Sequence, residues 1–206
     1  MLKKRTAFTL IELWVVIGII AILMGLLMPT VNRMKEQAMR VVCVSNQRQL
    51  GMALLFYARE HDNYTPKAFP GTSPDPWTNN TWRENLMPYV NEKKVYLCPL
   101  IPANHLKGHA YSNYGINAYI GETGVGYINL SVARYPVKTI SIGENNDGDW
   151  VCEPDDANFS TKLATGGFFC LHNTGSVLAF LDGHATFVSS NEAVANNWYL
   201  WPVNKP

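Results

Sequence analysis

Charged side chains are scarce in this sequence. They make up 16% of the 206 residues, against about a quarter in an ordinary soluble protein, and the formal net charge is only +1. A chain without an overall basic field does not attract phosphates, so we expect no nucleic acid among its partners. The apolar content is too high for a disordered chain, and the length suits one domain with an appendage.

Catalytic sequence motifs are also missing. The sequence has no G-x-S-x-G, no H-E-x-x-H, and no Walker or dinucleotide-binding loop. Its four cysteines, Cys43, Cys98, Cys152 and Cys170, form no C-x-x-C pair, which argues against a zinc knuckle. We therefore expect no enzymatic activity and no cofactor. An even cysteine count suits disulfide bonds in a compartment that permits them.

A long hydrophobic run lies near the N-terminus. It covers residues 8–28 with Glu12 as its only charge, and a helix of this length spans about 30 Å, the hydrocarbon thickness of a bilayer. Three basic residues at positions 3–5 precede it, which predicts a cytoplasmic N-terminus and an extracytoplasmic head. A cleavable secretory signal would be shorter and would end in a small-x-small site, which is absent. An uncleaved anchor remains the alternative.

Glu12 is the feature that a plain anchor does not explain. A carboxylate inside an apolar helix costs several kcal/mol unless it is paired, so an anchor would gain from losing it. If the chain is cut between Ala7 and Phe8, Glu12 lies four residues from a new α-amino group. The carboxylate would then neutralise the ammonium of its own or a neighbouring subunit. We therefore predict that Glu12 directs assembly.

The stretch AFTLIE, from Ala7 to Glu12, resembles the prepilin processing site of type IV pilins and type II secretion pseudopilins. Glu12 and Pro29 match the glutamate and the proline of that family, whereas Ala7 departs from its usual glycine. The resemblance implies cleavage by prepilin peptidase, methylation of Phe8, and passage through an inner-membrane assembly platform. It also implies a structural role, as a subunit of a pilus or pseudopilus-like filament built from copies of this chain or related pilins.

The residues beyond Pro29 predict an amphipathic helix followed by a head. Apolar positions recur at three- and four-residue steps to about Arg59, and Pro29 should kink or locally melt the helix. We expect an α+β fold, with a long N-terminal helix packed on an antiparallel β-sheet. The predicted parts are a leader at 1–7, a transmembrane or filament-core helix at 8–29, an amphipathic helix at 30–60 and an extracytoplasmic head at 61–206.

Short elements follow within the head. A helix is predicted over 82–89, a strand end over 95–98 and a buried strand over 139–143. Three apolar runs, separated by turn residues, predict an antiparallel meander near the C-terminus. These runs cover residues 167–172, 177–182 and 185–189.

His172, nine further residues and then Asp182-Gly183 resemble the H-x9-DG motif of a large pilin-like family that shares this type of N-terminus. The motif is not a catalytic pair if both residues belong to one hairpin. The histidine and the aspartate would then be about 17 Å apart along the strand. We expect His172 to cap one end of the hairpin and Asp182-Gly183 to form a tight turn at the other.

Two disulfides and one cation site are predicted. We expect Cys152–Cys170 and Cys43–Cys98 to pair, with buried free thiols as the alternative. The most acidic stretch contributes hard oxygen ligands that suit Ca²⁺, by analogy with some secretion pseudopilins. A solvated acidic loop is the alternative. The candidate ligands are Asp147, Asp149 and Asp155.

A second function is also consistent with the sequence. A membrane-tethered extracytoplasmic binding module or enzyme would use the same leader for export. Flat aromatic rings suit sugar faces, so carbohydrate binding by the head is one form of it. The candidate rings are Trp77, Trp82, Trp150, Trp198 and Trp201. Glu12 discriminates between the two functions, because polymerisation needs it and tethering does not.

Overall fold

The computed structural model describes residues 9–68, 81–100, 112–117, 120, 128–144, 151–152, 172, 175–189 and 192. The chain divides into two compact units, Met1–Ala38 and Met39–Pro206, and helix α1 contributes to both. The fold is α+β, as predicted. Its described elements are α1 (Leu10–Glu60), α2 (Trp82–Val90), β1 (Tyr114–Asn117), β2 (Ile140–Glu144), β3 (Val151–Cys152), β4 (Gly175–Phe180) and β5 (Ala185–Ser189), with short 3-10 turns at Lys93–Tyr96 and Leu130–Val132.

Helix α1 continues through Pro29 without interruption, so local melting, one of the two predicted effects of this proline, is wrong, and the kink stays a prediction. A proline removes one backbone hydrogen bond, and the Leu and Met residues beside it are good helix formers. The hydroxyl of Thr30 donates to the carbonyl of Leu27 at 2.6 Å in the same turn. The helical backbone persists on both sides of Pro29.

The strands form one sheet in the order β3-β1-β2-β4-β5. Neighbouring strands are antiparallel except β3, which pairs in parallel with β1. The β4–β5 hairpin is in regular register, with Val177 opposite Phe187. The predicted antiparallel sheet is therefore confirmed, and so are its strands at 139–143 and 185–189, each to within one residue. The predicted strand at 177–182 begins two residues earlier, at Gly175.

The second half of α1 packs on this sheet and on α2. Its buried face recurs at helical spacing, with Cys43, Leu50 and Leu54 fully buried. These side chains share one core with Trp82 of α2 and Val177 of β4. The predicted apolar stripe is thus confirmed at Leu50, Ala53 and Leu54. Its earlier members, among them Val41 and Val42, stay exposed.

The predicted strand end at 95–98 is wrong. Residues Lys93–Tyr96 form a 3-10 turn, which begins where the Glu92 side chain accepts a hydrogen bond from the Lys94 amide at 3.1 Å. The Val95 amide donates to the Glu92 carbonyl at 3.2 Å and the Leu97 amide to the Lys94 carbonyl at 3.0 Å, the three-residue step of a 3-10 helix. The predicted helix over 82–89 is confirmed and is one residue longer. Thr81 caps its start and Asn91, in the left-handed region, ends it.

Candidate functional site

The N-terminal part of α1 presents apolar side chains to its surroundings. Large hydrophobic residues from Leu10 to Met28 are exposed, with Leu10 at 78% and Trp14 at 72%. Among the described helices, α1 alone is long and apolar enough to cross a membrane. Exposed apolar surface of this extent is costly in water, so this part of the helix needs lipid or protein around it.

Glu12 is held by a cap at the start of α1. Its carboxylate accepts hydrogen bonds from the Thr9 amide at 2.9 Å and from the Thr9 hydroxyl at 2.7 Å. The Glu12 amide in turn donates to the Thr9 hydroxyl at 3.3 Å. This reciprocal arrangement is a capping box, whose sequence signature T-x-x-E is present in TLIE. Sequence reasoning had read Glu12 as a charge alone and had missed its capping role.

A row of polar contacts joins α1 to the head. The Gln47 side-chain amide donates to the carbonyl of Val177 in β4 at 3.2 Å. One residue earlier, the Asn46 side-chain amide donates to the carbonyl of Leu97 at 3.0 Å. Cys43 is bonded to Cys98, which confirms that predicted disulfide. The head is therefore attached to α1 covalently as well as through its core.

The Asp182-Gly183 end of the H-x9-DG motif forms a tight turn, as predicted. Asp182 accepts a hydrogen bond from the His184 amide at 3.1 Å, and the His184 ring stacks on Phe180. Gly183 has a φ of +88°, a backbone conformation that residues with a Cβ rarely adopt. A Cβ here would also lie only 2.9 Å from Leu55 Cδ1 of α1. The glycine thus lets the turn approach the helix.

The His172 end of the motif lies at the start of the hairpin, where the His172 amide donates to the carbonyl of Gly175, the first residue of β4, at 3.3 Å. His172 is fully buried, and its Nε2 lies 2.7 Å from Glu144 Oε1 and 3.7 Å from Cys98 Sγ. Its partner is thus a carboxylate of β2, while Asp182 binds His184. The prediction considered only one hairpin, so it did not include the contacts that the buried ring makes with Glu144 and Cys98 from distant segments.

Glu144 belongs to a buried cluster that also contains Cys43, Cys98 and His172. Its other carboxylate oxygen accepts from the Ser176 hydroxyl at 3.0 Å and from the Val177 amide at 2.9 Å. Glu144 and His172 are both fully buried, and buried charged groups persist when hydrogen bonds satisfy them. Four ligand atoms, from Cys43, Cys98, Glu144 and His172, lie within 4.8 Å of one another. Sequence reasoning missed Glu144, whose only signal is an acidic residue at the end of a buried strand.

Several predicted site residues lie outside the described residues. These include the processing residues Ala7 and Phe8, the disulfide partner Cys170, and the calcium candidates Asp147, Asp149 and Asp155. The backbone of Cys152 belongs to β3, but its side chain lies outside the described part. Trp82 is fully buried in the core, so it is not available to bind a carbohydrate. The other four tryptophans proposed for that role lie outside the described residues.

One comparison with known proteins gives a match. A family model described as a protein of unknown function, DUF1559 (SBP_bac_10), matches residues 32–97. The matched segment includes the sheet-packed half of α1 and all of α2, and it ends beside Cys98. No curated protein and no solved structure matches the chain.

Proposed function

We propose that this chain is a pilin-like structural subunit that polymerises into a filament of the type IV pilus or type II secretion pseudopilus kind. The observation that carries the proposal is helix α1. Its N-terminal part exposes an apolar surface with a single carboxylate, and its C-terminal part is packed on a sheet. A helix of this kind spans a membrane before assembly and packs in the core of a filament afterwards.

The membrane state comes first in this proposal. The basic residues at 3–5 hold the N-terminus in the cytoplasm, and the apolar part of α1 spans the inner membrane as a single pass. The head then lies outside the cytoplasm, where the Cys43–Cys98 disulfide is stable. Prepilin peptidase and an inner-membrane assembly platform are the expected partners at this stage.

Removal of the leader creates the group that Glu12 pairs with. The new α-amino group of Phe8 carries a positive charge, and an ammonium and a carboxylate attract strongly in hydrocarbon, whereas either alone is heavily penalised. Pairing between subunits would therefore favour one axial step during growth. The capping box supports this role because it already directs the Glu12 carboxylate toward the N-terminal end of α1.

In this role the subunit is structural rather than catalytic. The disulfide, the Gln47 contact and the shared core fix the head on the second half of α1. Such a head suits repeated display along a filament. The buried His172 and Glu144 have no solvent exposure, which argues against a role in turning over a substrate.

Processing is the first step to test. Intact-mass analysis of native protein should find a chain that lacks residues 1–7 and begins at Phe8 with a methylated amine. The loss of three basic residues changes the formal charge from +1 to −2. The matched control is the same chain from cells without prepilin peptidase, which should keep its leader. Full-length chain recovered from both strains would contradict the proposal.

A further inference from the structure

The buried cluster of Cys43, Cys98, Glu144 and His172 contains two ionisable side chains that a disulfide does not require. Cys43 and Cys98 are 0% and 2% exposed, and a buried disulfide is apolar and needs no charged neighbour. Yet the His172–Glu144 pair lies against it, with Nε2 only 3.7 Å from Cys98 Sγ. Taking two ionisable groups out of water is costly, so their presence beside two sulfurs calls for a function.

The four side chains form a ligand set for a borderline-soft metal ion. Zn²⁺ in structural sites takes four ligands among cysteine sulfur, histidine nitrogen and carboxylate oxygen, in closed surroundings. Thiolates favour Zn²⁺ over Ca²⁺ or Mg²⁺. The candidate ligand atoms all lie within 4.8 Å of one another and are all buried. They come from α1, the segment after α2, β2 and the start of the β4–β5 hairpin.

The surroundings of the cluster are those of an oriented site. Glu144 is held by Ser176 and Val177 through its second oxygen, which leaves Oε1 directed at His172. The Cys98 amide donates to Asn113 Oδ1 at 2.8 Å, which fixes the backbone of that cysteine. Nδ1 of His172 has no hydrogen-bond partner among the described residues, and the ring is oriented by Nε2, which faces the cluster, and by the Phe187 ring packed edge-on at 6.1 Å between centroids. Outer contacts of this kind orient metal ligands.

We propose that Cys43, Cys98, Glu144 and His172 form a redox-gated zinc site, open to Zn²⁺ when the cysteines are thiols and closed by their disulfide. To open the site, a dithiol reductant breaks the S–S bond by supplying two electrons and two protons, and becomes a disulfide itself. Zn²⁺ then displaces the two thiol protons with no further electron transfer. The proposal is independent of filament assembly.

The test uses the full chain in detergent, with Cys152→Ser and Cys170→Ser so that only the two cluster cysteines remain. After reduction by a dithiol and its removal under anaerobic conditions, the chain should bind one Zn²⁺, and the oxidised chain none. Co²⁺ in the same site should give a thiolate-to-cobalt charge-transfer band. Ser176→Ala should weaken Zn²⁺ binding roughly 10- to 100-fold, as loss of an outer-shell contact does.

Histidine variants provide the matched control. His172→Gln should weaken binding by more than Ser176→Ala does, whereas His184→Gln, at the exposed turn of the same hairpin, should leave it unchanged. A variant that fails to fold would also lose Zn²⁺ binding, so a second assay uses the reduced chain without substitutions. In that chain, Zn²⁺ should protect Cys43 and Cys98 from alkylation, which peptide mapping measures. A reduced chain that takes up no Zn²⁺, or alkylation of these cysteines at the same rate with and without Zn²⁺, would overturn the proposal.

Discussion

At the scale of single residues, the H-x9-DG motif has two separate structural tasks. His172 contacts Glu144 and the Cys43–Cys98 disulfide, while Gly183 allows the turn to approach α1. Strand β4 lies between them and accepts a hydrogen bond from Gln47 of α1. The nine residues between the two parts of the motif therefore include strand β4, and this strand is attached to α1 near both of the strand's ends.

Gly183→Ala tests the turn end of the motif. The added Cβ meets Leu55 Cδ1 at 2.9 Å and Met52 Sδ at 3.0 Å, and the φ of +88° is unfavourable for alanine. We expect the free energy of unfolding to fall by about 1–2 kcal/mol from the backbone conformation alone. Denaturant unfolding of the full chain in detergent, followed by circular dichroism, measures it.

Gly51→Ala is the control for this substitution. Gly51 lies in α1 opposite the same turn, but its added Cβ would meet its nearest neighbour, Gly183 Cα, at an ordinary 3.5 Å. Alanine is favoured over glycine inside a helix by about 1 kcal/mol, so this variant should be neutral or more stable. Equal destabilisation by both variants would show that the left-handed turn is not what requires Gly183.

At the scale of elements, α1 and α2 are joined at their C-terminal parts by a hydrogen bond from the Tyr89 hydroxyl to Glu60 Oε2 at 2.5 Å. This bond, more than burial, raises the pKa of Tyr89 to about 12. The neutral phenol is the form that donates. The stability that the Tyr89–Glu60 hydrogen bond contributes is therefore complete below pH 10, the ordinary pKa of tyrosine. It is lost as the pH rises through the pKa of about 12 in the folded protein.

Glu60→Gln checks this pH dependence. An amide lacks the charge that holds the phenol proton, so the pKa of Tyr89 should fall from about 12 toward 10. The measurement is an NMR titration of the chain with ¹³C-labelled tyrosine, with the Tyr89 signal assigned by its loss in Tyr89→Phe. An unchanged Tyr89 titration in Glu60→Gln would refute the assigned cause.

The elements that sequence reasoning predicted well are those with a strong local signal. The apolar run and the helical spacing around Leu50 and Leu54 predicted α1 because each depends on periodicity within one segment. The 3-10 turn at Lys93–Tyr96 was mistaken for a strand because its Val and Tyr favour strands, while the Glu92 cap that starts the turn is a side-chain contact.

The buried cluster was only partly predictable for a different reason. Cys43 and Cys98 were paired correctly, but Glu144 was missed, and so were the contacts of the His172 ring with Glu144 and Cys98. These four residues are far apart in sequence and meet only after α1 packs on the sheet. The Thr9–Glu12 capping box, in contrast, is a local motif that was available in the sequence and was overlooked.

At the scale of the whole molecule, the proposed function places the apolar part of α1 first in a bilayer and then in a filament core. These two states differ in whether the Glu12 carboxylate is paired. In a bilayer this carboxylate is a cost, whereas in a filament it would be paired with the Phe8 amine. Glu12→Gln keeps the capping box, which accepts glutamine, and removes only the charge. Glu12→Leu removes both the charge and the cap.

Electron microscopy of sheared cell-surface material, with the subunit identified by mass, is the decisive test of the filament role. Cells with the unmodified chain should shed filaments whose subunit begins at Phe8. Cells with Glu12→Gln or Glu12→Leu should hold the chain in the membrane and form few or no filaments, because the pairing charge is gone. Normal filaments from the Glu12→Leu chain would refute the pairing mechanism. An unmodified chain that never leaves the membrane fraction as a polymer would contradict the filament role and identify a tethered module instead.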